Sequence, residues 1–288
     1  MDERQTDKAF EDTETIFYLS DSLKEEPRLF PHIFRIASWN LGLQVVWEGL
    51  AEDRWSDAQL AALQKDLANA DFLQGLGLAL RGERASLNAT VAQMQAHPAL
   101  PANSGEGMSL KRSLPNGIFE HMQLDANQYY EKYLFTIVDP SAHRLRKDVI
   151  EAGDAYIEGF LQHRFFGLRL VNFYHGLTAI MAPATSVISL QTARTQATTD
   201  EALVACTLQR YRTANGRFPD ALGQLVPTYL PAIPLDVLHG EEPRYHLNPD
   251  GTYLLYLKGW DGNDNGGKLI MKPGTQDIDF KKKRLDLV

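Results

Sequence analysis

Five prolines, Pro219, Pro227, Pro231, Pro234 and Pro243, constrain this chain more than any other feature. Proline fixes φ and lacks an N–H, so no long helix can cross that stretch. Before it, apolar residues recur with the helical period. After it, "RYHLN" and "TYLLYLK" alternate around the turn former "PDG" at 249–251, which reads as a β-hairpin. The spacing therefore predicts a mainly α N-terminal region over residues 1–190, interrupted by a loop at 98–117. An α+β module over 191–288 follows, a helix leading into a small antiparallel sheet.

Within the first region, Ser56 to Gln59 is a capping box, and Leu60, Leu63 and Leu67 follow on one face. "PHIFRIASWNLGLQVVWEGL" is apolar most of the way round and is expected to be buried on all sides. "FLQGLGLALRGERASLNATVAQMQ" is a third helix whose Gly75, Gly77 and Gly82 weaken its early turns. Pro98, Pro101, Gly105, Gly107, Pro115 and Gly117 mark the loop, and helices resume near Asp125. The face carrying Tyr130, Tyr133, Leu134, Ile137 and Val138 should end at Asp139-Pro140. Leu145, Val149, Ala152, Tyr156 and Phe160 form another helical stripe. "RFFGLRLVNFYHGLTAIM" reads as a central helix that Pro183 ends or kinks. A second capping box, Thr198 to Glu201, should start the helix that carries Val204, Leu208 and Tyr211 and stops at Asn215-Gly216.

With 288 residues and 44% hydrophobic content, the chain can bury a sizeable core. A net charge of −8 argues against a general nucleic-acid surface. One cysteine, Cys206, excludes an intrachain disulfide, and its place inside a helical stripe makes it a core residue rather than a nucleophile. No stretch is long and apolar enough to span a bilayer, and "MDERQTDKAF" is no signal peptide. Either the protein acts in the cytosol or an export or membrane-anchor segment lies outside this sequence.

The stretch "GWDGNDNGG" at 259–267 begins like an EF-hand, with Asp261, Asn263 and Asn265 alternating before Gly266. Its twelfth position is Lys272, where an EF-hand needs a bidentate Glu. Asn, Asp and Gly all tolerate positive φ, so a metal-free turn would use the same letters.

The order of landmarks around this loop is more specific. Tyr211 to Pro219 reads Y-x-x-x-x-G-x-F-P, Leu222 to Leu225 reads L-x-x-L, and Pro234 to Asp236 reads P-x-D. A hairpin leads into Gly259–Gly262, G-x-D-G, and Asp277-Ile278 follows. This last quarter of the chain resembles the globular part of type II secretion major pseudopilins. Two departures stand out: "DVLHG" at 236–240 replaces the family's D-P-W-G phrase, and a long helical region replaces the filament helix. The whole layout resembles uncharacterised bacterial envelope proteins that carry such a tail. The resemblance implies a structural Ca²⁺ held by Asp261 and Asp277, with Asn263 and Asp264 as local additions and Asp279 as an alternative closing acid. Calcium takes six to eight oxygens in loose geometry, so carbonyls and a distant acid can complete its shell. A sparsely charged site of this kind suits affinities of about 10⁻⁴ to 10⁻³ M, the range of extracellular modules.

Elsewhere the chemistry is sparse. Asp154, Glu158 and His163 could form an acid–base set, but their spacing fits a solvated helix side better. Trp39, Trp47, Trp55 and Trp260 read as core aromatics, with Trp260 placed to buttress the loop. "KKKR" at 281–284 reads as a solvated tail. No H-E-x-x-H, G-x-S-x-G or phosphate-cradling loop is present. The expectation is a non-enzymatic, periplasmic or envelope protein with a structural or assembly role, whose partners are other envelope proteins. The alternative is an enzyme or small-ligand binder with its pocket among the N-terminal helices.

Overall fold

The computed structural model describes residues 3–96, 116–161 and 175–267. Helices α1 (Glu3–Asp21) and α2 (Leu29–Ala51) form a hairpin in which Phe17 stacks on Trp39 at 4.0 Å and Ser20 Oγ donates to the Arg35 carbonyl at 2.8 Å. Contrary to the all-round burial its composition implied, α2 buries only one side, through His32, Arg35, Ile36, Trp39, Leu43 and Val46. Its opposite side leaves Phe30, Ile33, Phe34 and Leu41 exposed.

Helix α3 (Asp57–Asn69) starts at the expected capping box: Gln59 N–H donates to Ser56 Oγ, and Ser56 N–H donates to Gln59 Oε1 at 2.9 Å. Leu60, Leu63 and Leu67 are buried together. Helix α4 (Phe72–Ala96) forms in spite of its glycines, because two of them are contact points. Gly75 lies against the Arg35 guanidinium, and a methyl group at Gly82 would overlap the Pro27 backbone carbonyl. The helix can sit against the α1–α2 turn only if residue 82 has no side chain.

Helix α5 (Asn116–Lys132) begins well before Asp125, so Gly117 is helical rather than part of the expected loop; residues 97–115 lie outside the described segments. It ends before Asp139-Pro140. A short 3₁₀ turn, Leu134–Thr136, leads into β1 (Val138–Asp139), which pairs antiparallel with β2 (Arg144–Leu145). Helix α6 (Lys147–Leu161) follows. The expected central helix over 164–181 lies outside the described residues as far as 174.

Helix α7 (Gly176–Asn215) is the organising element, 40 residues and about 60 Å long. The helix continues past Pro183 rather than ending there. It corrects one expectation: Thr198 to Glu201 is helix interior rather than a cap. The 190/191 junction read from the sequence also falls within it. Helices α2 to α6 all pack on α7. It has no single apolar stripe, since buried Thr185, Ser189, Thr192, Thr195, Gln196, Thr199 and Thr207 alternate with buried alanines and leucines. Ser189, Thr199 and Thr207 satisfy their hydroxyls on the carbonyl four residues back, each at 2.7 Å. Trp39 Nε1–H then donates to Thr199 and Asn40 to Thr195, both at 3.0 Å.

Gly216, at φ +75°, ends α7, the left-handed stop expected at Asn215-Gly216. The chain then runs through a 3₁₀ turn, Leu222–Leu225, to the predicted hairpin of β3 (Arg244–Leu247) and β4 (Tyr253–Tyr256), with Arg244 opposite Tyr256 and Leu247 opposite Tyr253. Gly251, at φ +84°, closes the Pro249-Asp250-Gly251 turn. Tyr245, Leu247, Tyr253 and Leu255 pack onto a core formed by α1, α2, α3 and the end of α7, which also takes in Phe218, Leu225 and Leu230. A second core joins α4, α5, α6 and α7 with Val237, Leu238, Leu257 and Trp260. The C-terminal segment thus seals both cores. The molecule is mostly helical with small antiparallel sheets, and among the described residues no helix is long and apolar enough to cross a membrane.

Candidate functional site

The loop after β4 is mounted on the second core. Trp260 is 6% exposed, and its carbonyl accepts a hydrogen bond from Lys147 Nζ at 2.7 Å, while that ammonium lies 5.2 Å from the indole centroid. A lysine at the start of α6 therefore clamps the loop by both a hydrogen bond and a cation–π contact. Gly262, Gly266 and Gly267 adopt φ of +74°, +64° and +70°, a backbone that a β-branched residue would strain.

Within this frame Asp261 folds back on its own turn. Its Oδ1 accepts from Asn263 N–H at 2.9 Å and its Oδ2 from the Asn263 amide at 2.8 Å. Asp264 turns toward the hairpin: Oδ1 accepts from Tyr256 O–H at 2.8 Å and Gly266 N–H at 3.0 Å, and Oδ2 lies 3.6 Å from Arg244 Nε. These donors, the Asn263 backbone at Asp261 and the Gly266 backbone at Asp264 first among them, hold both carboxyls below the usual carboxylate range. Both are exposed and ionised at neutral pH. Asp261 and Asn263 are together, whereas Asp264 is engaged with Tyr256 and Arg244. Asp277 and Asp279 lie outside the described residues, as do the "KKKR" tail and His163. Among the described residues no three acid, histidine or cysteine side chains converge at ligand spacing. A calcium ion here would take Asp261, the Asn263 amide oxygen and loop carbonyls, with the remaining charge from Asp277 or Asp279. Carboxylate oxygens that already accept one hydrogen bond retain a lone pair, so the chemistry of Asp261 fits such an ion.

A second layer lies beneath the loop. Asp236, 4% exposed, accepts from Leu238 N–H at 2.9 Å and from His239 Nδ1 at 2.7 Å. The His239 ring packs against Gly262, where a methyl group would come within 3.2 Å of Nε2. Asp236 is the acid of the P-x-D phrase, and its role here is to close the 236–241 turn on which the loop rests. Next to it, α7 contributes Asp200 and Glu201. Burial pushes the Asp200 carboxyl up to about 7 and the Glu201 carboxyl up to about 8, with further contributions from neighbouring acids, although Glu201 accepts a hydrogen bond from the Leu257 backbone. His239 could have been suspected from its spacing to Asp236. Lys147 and Glu201 come from remote helices and carry no local sequence signal.

Among the N-terminal helices, Asp125 of α5 gathers a polar group. It accepts from Tyr156 O–H at 3.0 Å, His175 Nδ1 at 2.8 Å and Thr178 O–H at 2.6 Å, tying α5 to α6 and α7. Of the acid pair weighed from sequence, Asp154 accepts from Ser186 Oγ at 2.6 Å, while Glu158 is exposed. Cys206 is fully buried and its thiol is pushed up to about 12 by that burial, as a core residue requires. Trp39 and Trp55 are core residues too.

Comparison with protein-family models, curated proteins and solved structures finds no match to this chain.

Proposed function

We propose that this is a non-enzymatic cell-envelope protein whose C-terminal segment is a pseudopilin-like module stabilised by Ca²⁺, and that its role is structural, in assembly with other envelope proteins. The periplasmic location belongs to the same reading, because a site of millimolar affinity is filled outside the cytoplasm and largely empty within it. The observation that carries it is the mounting of the loop. An exposed, ionised Asp261 is presented by a turn with left-handed glycines, and buried Trp260, held by half-buried Lys147, fixes that turn to the helical body. The order helix, glycine stop, 3₁₀ turn, hairpin and acidic loop agrees with the landmarks of the resemblance.

Trp260 makes the reading testable by energy transfer. Terbium replaces calcium at oxygen sites, and an indole adjoining the site sensitises its emission. Tryptophan-excited terbium luminescence is expected in the intact chain, displaced by millimolar Ca²⁺ and lost in Trp260→Phe and Asp261→Ala. Absence of sensitised emission, or emission unchanged in Asp261→Ala, overturns the proposal.

A second reading, a small-ligand or catalytic pocket among α5, α6 and α7, would centre on the Asp125 group. Its carboxylate already accepts three hydrogen bonds, which suits holding helices together better than reacting.

A further inference from the structure

The exposed side of α2 presents an unexplained surface. Phe30, Ile33, Phe34 and Leu41 are 68%, 41%, 51% and 62% exposed, and Phe30 and Phe34 pack edge to face on each other at 4.8 Å rather than on the body. Positions 30, 33, 34, 37 and 41 share one face of a helix, and exposed Ala37 lies in the middle of it. We propose that this face is the contact between two copies of the chain, packed with their α2 helices antiparallel about a two-fold axis between Ala37 and Ser38.

Three features favour a second copy as the occupant. The first is size: the four apolar side chains expose on the order of 400 Å², near the largest patches that monomers carry. A standard interface of about 800 Å² per partner is roughly 30 Å across, and α2 from Arg28 to Glu48 is also about 30 Å long. The second is register. With the axis between Ala37 and Ser38, Phe34 of one copy meets Leu41 of the other, and Phe30 comes level with Val45, between Gln44 and Glu48 of the stripe. Ala37 then lies at the crossing, where a small side chain lets two helices approach to about 8 Å. The third is charge: the same register brings exposed Arg28 of each copy level with Trp47 of the other, one residue from exposed Glu48. Arg28 precedes α2 and Glu48 lies near its end, so both ends of the stripe close on opposite charges, and a parallel arrangement would set like charges together. A two-fold contact of this kind is isologous and closes on itself.

The contact is independent of the calcium reading, because α2 lies outside the C-terminal loop. Sedimentation velocity of the full chain, in EGTA and again with Ca²⁺, tests it over about 1 to 100 µM, the range where a moderate self-association is visible. The expected result is a dimer in both conditions, weakened at least roughly tenfold by Phe34→Glu and by Leu41→Glu, as for central anchor residues. Arg28→Glu and Glu48→Arg each weaken it, and the double variant recovers most of the loss. Unchanged thermal midpoints of the variant monomers confirm that these side chains do not hold the fold. A single-chain mass at every concentration overturns the proposal, as does a dimer indifferent to Phe34→Glu. Failure of the charge swap to recover association overturns the antiparallel register. A monomer that co-floats with phosphatidylcholine vesicles, and loses that behaviour in Phe34→Glu, overturns it in favour of a lipid surface. A monomer that Phe34→Glu unfolds overturns it in favour of the chain's own segments.

Discussion

Glu201 lies in the interior of α7 with its carboxyl 7% exposed as a residue and facing the acids Asp236 and Asp200. Its ordinary value of 4.5 rises to about 8, so across the interval between them the folded chain holds a proton that the unfolded chain has released. The unfolded state then binds fewer protons, and stability falls as pH rises through that interval. Asp200, raised to about 7, adds to the same slope. His32 acts at the other side. Burial first, and then the Arg35 charge, lower it from 6.5 to about 4, so the unfolded chain alone takes up that proton and stability falls as pH drops from about 6.5 toward 4. Glu201→Gln keeps an oxygen for the Leu257 N–H and removes the charge. It is expected to raise stability at pH 9, on the order of a few kcal/mol, and to flatten the alkaline slope. Denaturant unfolding at pH 5, 7 and 9 checks this; equal gains at pH 5 and pH 9 would contradict it. None of these environments was legible in the sequence. Glu201 was read there as half of a capping box, because its spacing from Thr198 fits that motif and only the tertiary fold reveals that the helix continues.

At the scale of elements, short-range chemistry was the most legible. The Ser56 capping box, the Leu60-Leu63-Leu67 stripe, the Gly216 stop and the 249–251 turn each depend on contacts within a few residues, and each appears where expected. The misreadings share one physical cause. Helix α7 buries Thr, Ser and Ala among its leucines against five other helices, so its apolar periodicity is blurred, and α2 looks uniformly apolar although only one side is covered. Glycines in α4 looked like helix weaknesses but serve close packing. Gly82→Ala is accordingly expected to destabilise strongly, since relief requires moving the Pro27 backbone rather than a side chain. A loss of about 2–4 kcal/mol is anticipated, beyond the few tenths gained in helix propensity. Gly77→Ala, where the nearest atom apart from the helix's own backbone is the far end of the Arg81 side chain at 4.0 Å, is expected to be neutral or stabilising. Equal midpoints for the two variants in urea would contradict the packing account.

For the whole molecule, the C-terminal segment is the seal. Phe218, Leu225 and Leu230 complete one core, and Val237, Leu257 and Trp260 complete the other, so the segment leading to the acidic loop is tied to α6 through Lys147 and to α7 through Leu257 and Glu201. The reading of an envelope protein rests on this coupling: an ion held at the loop would stabilise the whole body and not only the last turns. Of the candidate site, Asp261, Asn263 and Trp260 were identifiable from sequence, because turn formers and an aromatic are local signals. The supports from Lys147, Asp236 and His239 became visible only when remote segments met. The most direct measurement is thermal unfolding of the full chain in EGTA and in about 10 mM Ca²⁺, well above the affinity expected of such a loop, repeated for Asp261→Ala. The account predicts a single transition that Ca²⁺ raises in the wild type, approaching about 2.7 kcal/mol where the ion reaches a hundred times its Kd, with little or no rise in Asp261→Ala. Identical midpoints with and without Ca²⁺ in the wild type would contradict it.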